Sequence, residues 1–166
     1  MQHTVHSFGG LRFVFVALVF MSHFAWSDIK AFDFGGDCGV AFFFALSGYG
    51  LMSGYGARAA AGTLDFVPFI RRRLSRIYPM HLLALTVAFA VMPWNFGDIK
   101  ADILSALLLQ SWTPDYFATN GPAWFLSTLV FLYLLFPWMA RRVAAMRLRA
   151  LATTAVVGIA LMIAAY

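Results

Sequence analysis

Residues Trp124-Phe125-Leu126-Ser127-Thr128-Leu129-Val130-Phe131-Leu132-Tyr133-Leu134-Leu135-Phe136-Pro137-Trp138-Met139-Ala140 form a run without one charged side chain. As a helix rising 1.5 Å per residue, such a run is about 25 Å long. A membrane crossing needs about 20 mostly apolar residues, with roughly 17 the lower limit. This stretch therefore predicts a transmembrane helix, and the rest of the chain repeats the pattern. Three further stretches qualify, 8–27, 38–56 and 77–94, and a fifth runs from Ala150 to Tyr166. Ala101 to Trp112 is apolar but too short to cross, which predicts an interfacial or re-entrant helix. The expected fold is an all-α polytopic integral membrane protein with about five transmembrane helices. It is expected to form a single membrane domain over residues 1–166.

Composition agrees. Of 166 residues, 62% are hydrophobic and 11% charged, where a soluble domain carries about 25% charged residues. Too few polar side chains are present to coat a globule in water. A soluble enzyme, a disordered tail and a nucleic-acid module are thereby excluded, and the lipid bilayer is the expected partner. The net charge of +5 sets orientation rather than recruiting a polyanion. With the N-terminus cytoplasmic, Arg12, Arg58, Arg71, Arg72, Arg73, Arg76, Arg141, Arg142, Arg147 and Arg149 fall near the cytoplasmic face. Only Lys30 and Lys100 are left outside, as the positive-inside rule requires. Asp28, Asp33, Asp37, Asp98, Asp102 and Asp115 fall on the outer side. Leu11 to Trp26 lacks a small-x-small cleavage site, so a retained helix is expected rather than a cleaved signal. The single cysteine, Cys38, precludes an intramolecular disulfide, and no metal-ligand spacing occurs.

Ionisable residues inside spans are expensive and mark candidate sites. Arg12 and His23 lie 11 residues apart, about three helical turns and 16 Å of rise, hence on one face. Spacing admits two readings: Arg12 snorkels to lipid phosphates while His23 bonds a neighbouring carbonyl, or the two hold the charged and reacting ends of a substrate. Histidine suits the second because imidazole can accept and return a proton near neutrality. Arg71-Arg72-Arg73-Leu74-Ser75-Arg76 places Arg73 and Arg76 at i, i+3 and Arg72 and Arg76 at i, i+4. Forked guanidiniums so spaced can grip a phosphate, or they serve topology and anionic lipid. Tyr78-Pro79 is expected to open the third span, with Pro in its first turn, and His81 reads as a structural histidine. Gly50 and Gly54, with Ser47 and Gly48 just before, make a small-residue stripe that predicts close helix packing. Trp124 follows the Asn120-Gly121-Pro122 turn as an interfacial anchor.

Four segments, in order, resemble the membrane acyltransferase 3 family. Arg12 with ten residues before His23 is similar to its opening Arg-x10-His signature. Phe42-Phe43-Phe44-Ala45-Leu46-Ser47-Gly48-Tyr49 resembles its Phe-Phe-x-x-Ser-Gly-Phe block. Arg73-Leu74-Ser75-Arg76-Ile77-Tyr78-Pro79 resembles its Arg-x-x-Arg-Ile-Tyr-Pro block. Trp124-Phe125-Leu126-Ser127, with Tyr133 and Pro137 downstream, resembles its Trp-Ser-Leu-Ser block. Many members carry a Glu where this chain has Leu129, and the chain contains no Glu, so an Asp or a residue beyond this chain would replace that carboxylate. Members are longer, so the resemblance implies the N-terminal portion of an acyltransferase 3 domain, truncated at its C-terminus.

The resemblance implies transfer of an acyl group, usually acetyl, from cytoplasmic acyl-CoA to a hydroxyl of a cell-envelope carbohydrate or related acceptor. It implies a multi-pass protein of the inner membrane, with acetyl-CoA as donor substrate, no bound cofactor and no metal. His23 would be the general base or transient acyl carrier, and Arg12 would orient the donor. Arg73, Arg76 and Arg72 would hold CoA phosphates. Ser47 and Gly48 would permit close helix approach near the site, and Trp124 would pack near its outer mouth. The alternatives are a truncated, catalytically inactive acyltransferase fragment and a non-catalytic membrane subunit or transporter.

Overall fold

A computed structural model of the chain describes residues 9–23, 30–114 and 120–164, without the side chains of 30–35 and 162–164. Six α-helices follow one another: α1 (Gly9–Ser22), α2 (Lys30–Ala60), α3 (Phe66–Val91), α4 (Ile99–Ala106), α5 (Trp124–Ala145) and α6 (Leu148–Ala164). No strand occurs among the described residues. The fold is all-α, and the protein is a membrane protein. Three stretches, Gly36–Ala60, Phe66–Val91 and Gly121–Ala145, are long and apolar enough to cross a bilayer. Gly9–Ser22 and Leu148–Leu161 are shorter apolar helices. Residues 8 and 24–27 of the expected first span, residues 165–166 of the expected fifth, and the acids Asp28 and Asp115 lie outside the described residues, as do the side chains of Lys30 and Asp33.

The chain divides into two compact units, Met1–Ser53 and Gly54–Tyr166. In the first, α1 packs on the early part of α2. Phe15 stacks on Phe42 with ring centroids 4.1 Å apart. Gly36 lies against the Ser22 side chain, and Gly39 against Val19 and the Phe15 carbonyl, so a Cβ at either position would collide. This corrects the expected place of close packing. Around Gly48, Gly50 and Gly54 there is open space. Small-residue spacing marks a smooth helix face but not the face that a neighbour covers.

In the second unit, α5 presents a buried stripe of Leu129, Tyr133, Phe136 and Ala140, spaced to share one helical face. Phe136 meets Phe69 of α3 at 5.5 Å, and Phe69 meets Tyr55 edge-on at 5.0 Å. Each such ring pair contributes about 0.5–1.5 kcal/mol beyond area burial. α2 ends at a glycine cap: Gly62 adopts φ +74°, with Gly62 N–H donating to Ala59 and Thr63 N–H to Arg58. Arg141 of α5 donates from Nε to the Ala59 carbonyl at 3.1 Å, fastening that end to α5.

Two expectations for the middle of the chain change. The third span begins at Phe66 rather than at Ile77, so the whole arginine run is helical and Pro79 lies in the helix interior. Pro68 occupies the tolerated first turn instead. A mid-helix proline is sustained in a membrane bundle where neighbours satisfy the freed backbone. The segment 101–112 is a hairpin of α4 and a 3-10 turn rather than one helix. Asp98 caps α4 by accepting from the N–H groups of Lys100 and Ala101, and α4 ends at Ala106. Its last carbonyls meet donors from α3: Tyr78 Oη–H gives to Ala106 at 2.7 Å, and His81 Nε2 to Ser105 at 2.9 Å. Tyr78 precedes the C-terminal end of α3 by about 20 Å of helix rise, so the hairpin tip reaches the middle of a spanning helix. Leu108 then takes φ +57°, and a 3-10 turn, Gln110–Trp112, leads back.

Candidate active site

In the first unit, Arg12 and His23 are both exposed. α1 is continuous from Gly9 to Ser22, and His23 closes its last turn through its N–H to the Phe20 carbonyl. His23 Nδ1 lies 2.7 Å from the Val19 carbonyl. A carbonyl only accepts, so Nδ1 carries the proton, and in the neutral ring Nε2 holds the lone pair. The bond to a neighbouring carbonyl and a role as a base are therefore compatible: the first orients the ring and leaves an accepting nitrogen exposed. Ser47 is half-buried and Gly48 exposed on α2.

In the second unit the arginines of α3 diverge. Arg73 turns inward, its guanidinium 4.8 Å from the Tyr55 ring, 5.8 Å from Tyr133 and 6.0 Å from Phe69. Its Nε is buried without a partner. Arg58 lies 5.0 Å from the same Tyr55 ring. Arg72 joins Arg58, Tyr55 and Asp65 around a cavity of about 150 Å³ at the start of α3. The N–H groups of Phe66 and Val67 open that helix, and a helix N-terminus favours anions. Two cations and a helix start outweigh the one carboxylate, Asp65. Arg76 lines a different cavity, of about 470 Å³, with His81, Asn120 and Leu126. Trp124 begins α5, and its carbonyl accepts from Ser111 Oγ–H at 2.7 Å and from Thr128 at 3.1 Å.

Arg58, His81, Ser105 and Gln110, outside the motifs, belong to this region with the motif residue Ser127. Arg58 shares the Tyr55 ring with Arg73; the i, i+3 spacing of Tyr55 and Arg58 on α2 is its sign in the sequence. His81, Ser105, Gln110 and Ser127 are buried polar residues. Ser127 Oγ accepts from the Ser111 N–H at 3.4 Å. Both amide atoms of Gln110, and Nδ1 of His81, have no partner. No periodicity announces these residues, because the hairpin that buries them is a tertiary feature.

The model of the acyltransferase domain of the acyltransferase 3 family matches residues 5–166. The chain is similar to acyltransferase MdmB of Streptomyces mycarofaciens, at 32% identity over 165 residues. The match covers 87% of this chain and 41% of that protein, so the chain spans about two-fifths of the relative's length. No solved structure matches. An arginine and a histidine along the first helix, an arginine-bearing third helix and a tryptophan-led fifth are thus parts of one family domain, and the chain belongs to the acyltransferase 3 family.

Proposed function

We propose that these helices serve a multi-pass acyltransferase of the inner membrane, which moves an acyl group, acetyl in the simplest case, from cytoplasmic acyl-CoA to a hydroxyl of a cell-envelope carbohydrate or related acceptor. The observation that carries this is the gathering of Arg58, Arg72 and Arg73 about Tyr55 at the start of α3. Charge-assisted hydrogen bonds to phosphate are the strong ones, and CoA is the acyl carrier that presents phosphates. Arg72 with Arg58 binds a CoA phosphate in the small cavity, and Arg73 is preorganised by its aromatic neighbours. Arg12 orients the donor, and His23 Nε2 takes the proton of the acceptor hydroxyl as it attacks the thioester. The hydroxyl oxygen forms the new ester bond, the carbon–sulfur bond breaks, and the thiolate leaves with a proton returned from imidazole.

The experiment is acetyl transfer in membranes carrying the chain, followed with radiolabelled acetyl-CoA into the carbohydrate and lipid fractions. Label should appear with wild type and fall about 10²–10⁴-fold in His23→Gln, the range that a lost acid–base group costs. Equal labelling by the variant would sink the base assignment. The 41% coverage of the relative supports a second reading, in which these helices bind donor but do not turn over alone. Absence of label from wild-type membranes that retain acetyl-CoA binding would favour that reading.

A further inference from the structure

His81 is 2% exposed, five residues beyond Arg76 in the apolar stretch of α3. Its Nε2 lies 2.9 Å from the Ser105 carbonyl, so Nε2 carries the proton and neutral Nδ1 is an acceptor. That acceptor is buried and has no partner. Capping α4 does not require it, since a side chain with a donor alone would satisfy Ser105. Ser105 also already accepts from the Leu108 N–H at 3.1 Å. An unpaired acceptor in a bundle interior is costly and is a functional-site hypothesis by default.

The cavity that His81 lines is about 470 Å³ and open at one side. Met80, Ala84, Pro122 and Leu126 give it apolar walls, Arg76 a cation and Asn120 an amide. Its wall includes the Asn120-Gly121-Pro122 turn, so α3 and the entry to α5 build it together. An apolar cavity with a few convergent polar groups is the usual form of a small-molecule site. An unprotonated nitrogen selects for a ligand that donates a hydrogen bond.

We infer that this cavity is a substrate subsite in which His81 Nδ1 accepts a hydrogen bond from an uncharged O–H or N–H group, with Arg76 pairing to an oxygen of the same ligand. The inference deepens the acyltransferase reading and rests on it for the two sources of that chemistry: a hydroxyl of the acceptor, or an amide N–H of the pantetheine arm of acyl-CoA. In either case His81 selects a neutral donor over an isostere lacking one, because the isostere leaves Nδ1 unpaired.

The test uses the full chain in nanodiscs, with its histidines labelled with ¹⁵N and His81 assigned by difference from His81→Gln. Glutamine keeps an N–H near the position of Nε2 for Ser105 but offers no acceptor at Nδ1. The probes are n-hexyl β-D-glucoside and pantetheine, titrated separately. A saturable shift of the His81 Nδ1 resonance with the glucoside identifies the acceptor subsite, and one with pantetheine the donor arm. Affinity for the active probe should fall at least tenfold in His81→Gln while its thermal midpoint stays near wild type. If neither probe moves Nδ1, or His81→Gln binds equally well, the inference is overturned and His81 only caps α4. Acetyl-CoA binding lost in Arg58→Ala/Arg72→Ala is read separately, so failure of the donor-site reading is distinguishable from failure at His81.

Discussion

His81 and Ser105, 24 residues apart in sequence, are joined by an imidazole-to-carbonyl hydrogen bond of 2.9 Å inside the bundle. With the neighbouring bond from Tyr78 to Ala106, it explains how a short helix can end beside the middle of a spanning one. The last carbonyls of a helix have no intrahelical donor, and hydrocarbon offers none. α3 supplies two, from residues three apart that share a face.

Tyr78→Phe removes one donor without changing shape. Interhelical hydrogen bonds in membranes contribute about 0.6 kcal/mol on average and up to about 1.7. The variant should lose stability in that range, measured by unfolding in mixed micelles, and hydrogen exchange in 99–112 should rise more than in α5. Uniform exchange across both segments would contradict the hairpin's dependence on Tyr78.

The two left-handed helix caps predict that glycine is better tolerated than alanine at both positions. Gly62 (φ +74°) ends α2 with the Arg141 guanidinium 3.3 Å from where a Cβ would sit. Gly62→Ala should cost about 1–2 kcal/mol, the left-handed penalty for a residue with a Cβ. Leu108 (φ +57°) makes the same pair of cap bonds, Leu108 to Ser105 and Leu109 to Leu104, and is 1% exposed. Its side-chain packing outweighs its backbone strain, so both Leu108→Ala and Leu108→Gly should destabilise. Alanine should be the worse by about 1 kcal/mol, because it keeps the strain. Chemical unfolding of the pair checks this; alanine the more stable would refute it.

Arg73 should act for binding at the expense of the fold. Its Nε is buried without a partner, and such groups cost stability. Arg73→Leu should leave the thermal midpoint unchanged or raised while acetyl-CoA affinity falls about tenfold, the loss of roughly one charged contact. A lowered midpoint with unchanged affinity would show Arg73 to be structural.

Much of this was legible in the sequence, for identifiable reasons. Uninterrupted apolar length announced the spans at 77–94 and 124–140, which fall largely on α3 and α5, since hydrocarbon thickness imposes it. The motif residues Arg12, His23, Arg73, Arg76 and Trp124 all fall on described helices or their ends. The division of labour among the arginines was hidden, because i, i+3 and i, i+4 spacing says which residues are neighbours but not which way each turns. Arg73 lies over Tyr55 and Tyr133, whereas Arg72 lines the small cavity with Arg58 and Asp65. The glycine stripe at 48–54 misled for the same reason. The start of α3 at Phe66, eleven residues before the expected Ile77, is hidden because apolar length marks only the hydrocarbon, whereas a helix continues past it. Leu108 carries no turn signal at all.

The most direct measurement is equilibrium binding of acetyl-CoA to the chain in nanodiscs, comparing wild type with Arg58→Ala/Arg72→Ala and with the charge-matched control Arg147→Ala/Arg149→Ala. The cation cluster at the start of α3 requires saturable binding that falls at least tenfold in the first variant and little in the second. Equal losses in both variants, or no binding by a folded wild-type chain, would contradict a donor site built from Arg58 and Arg72.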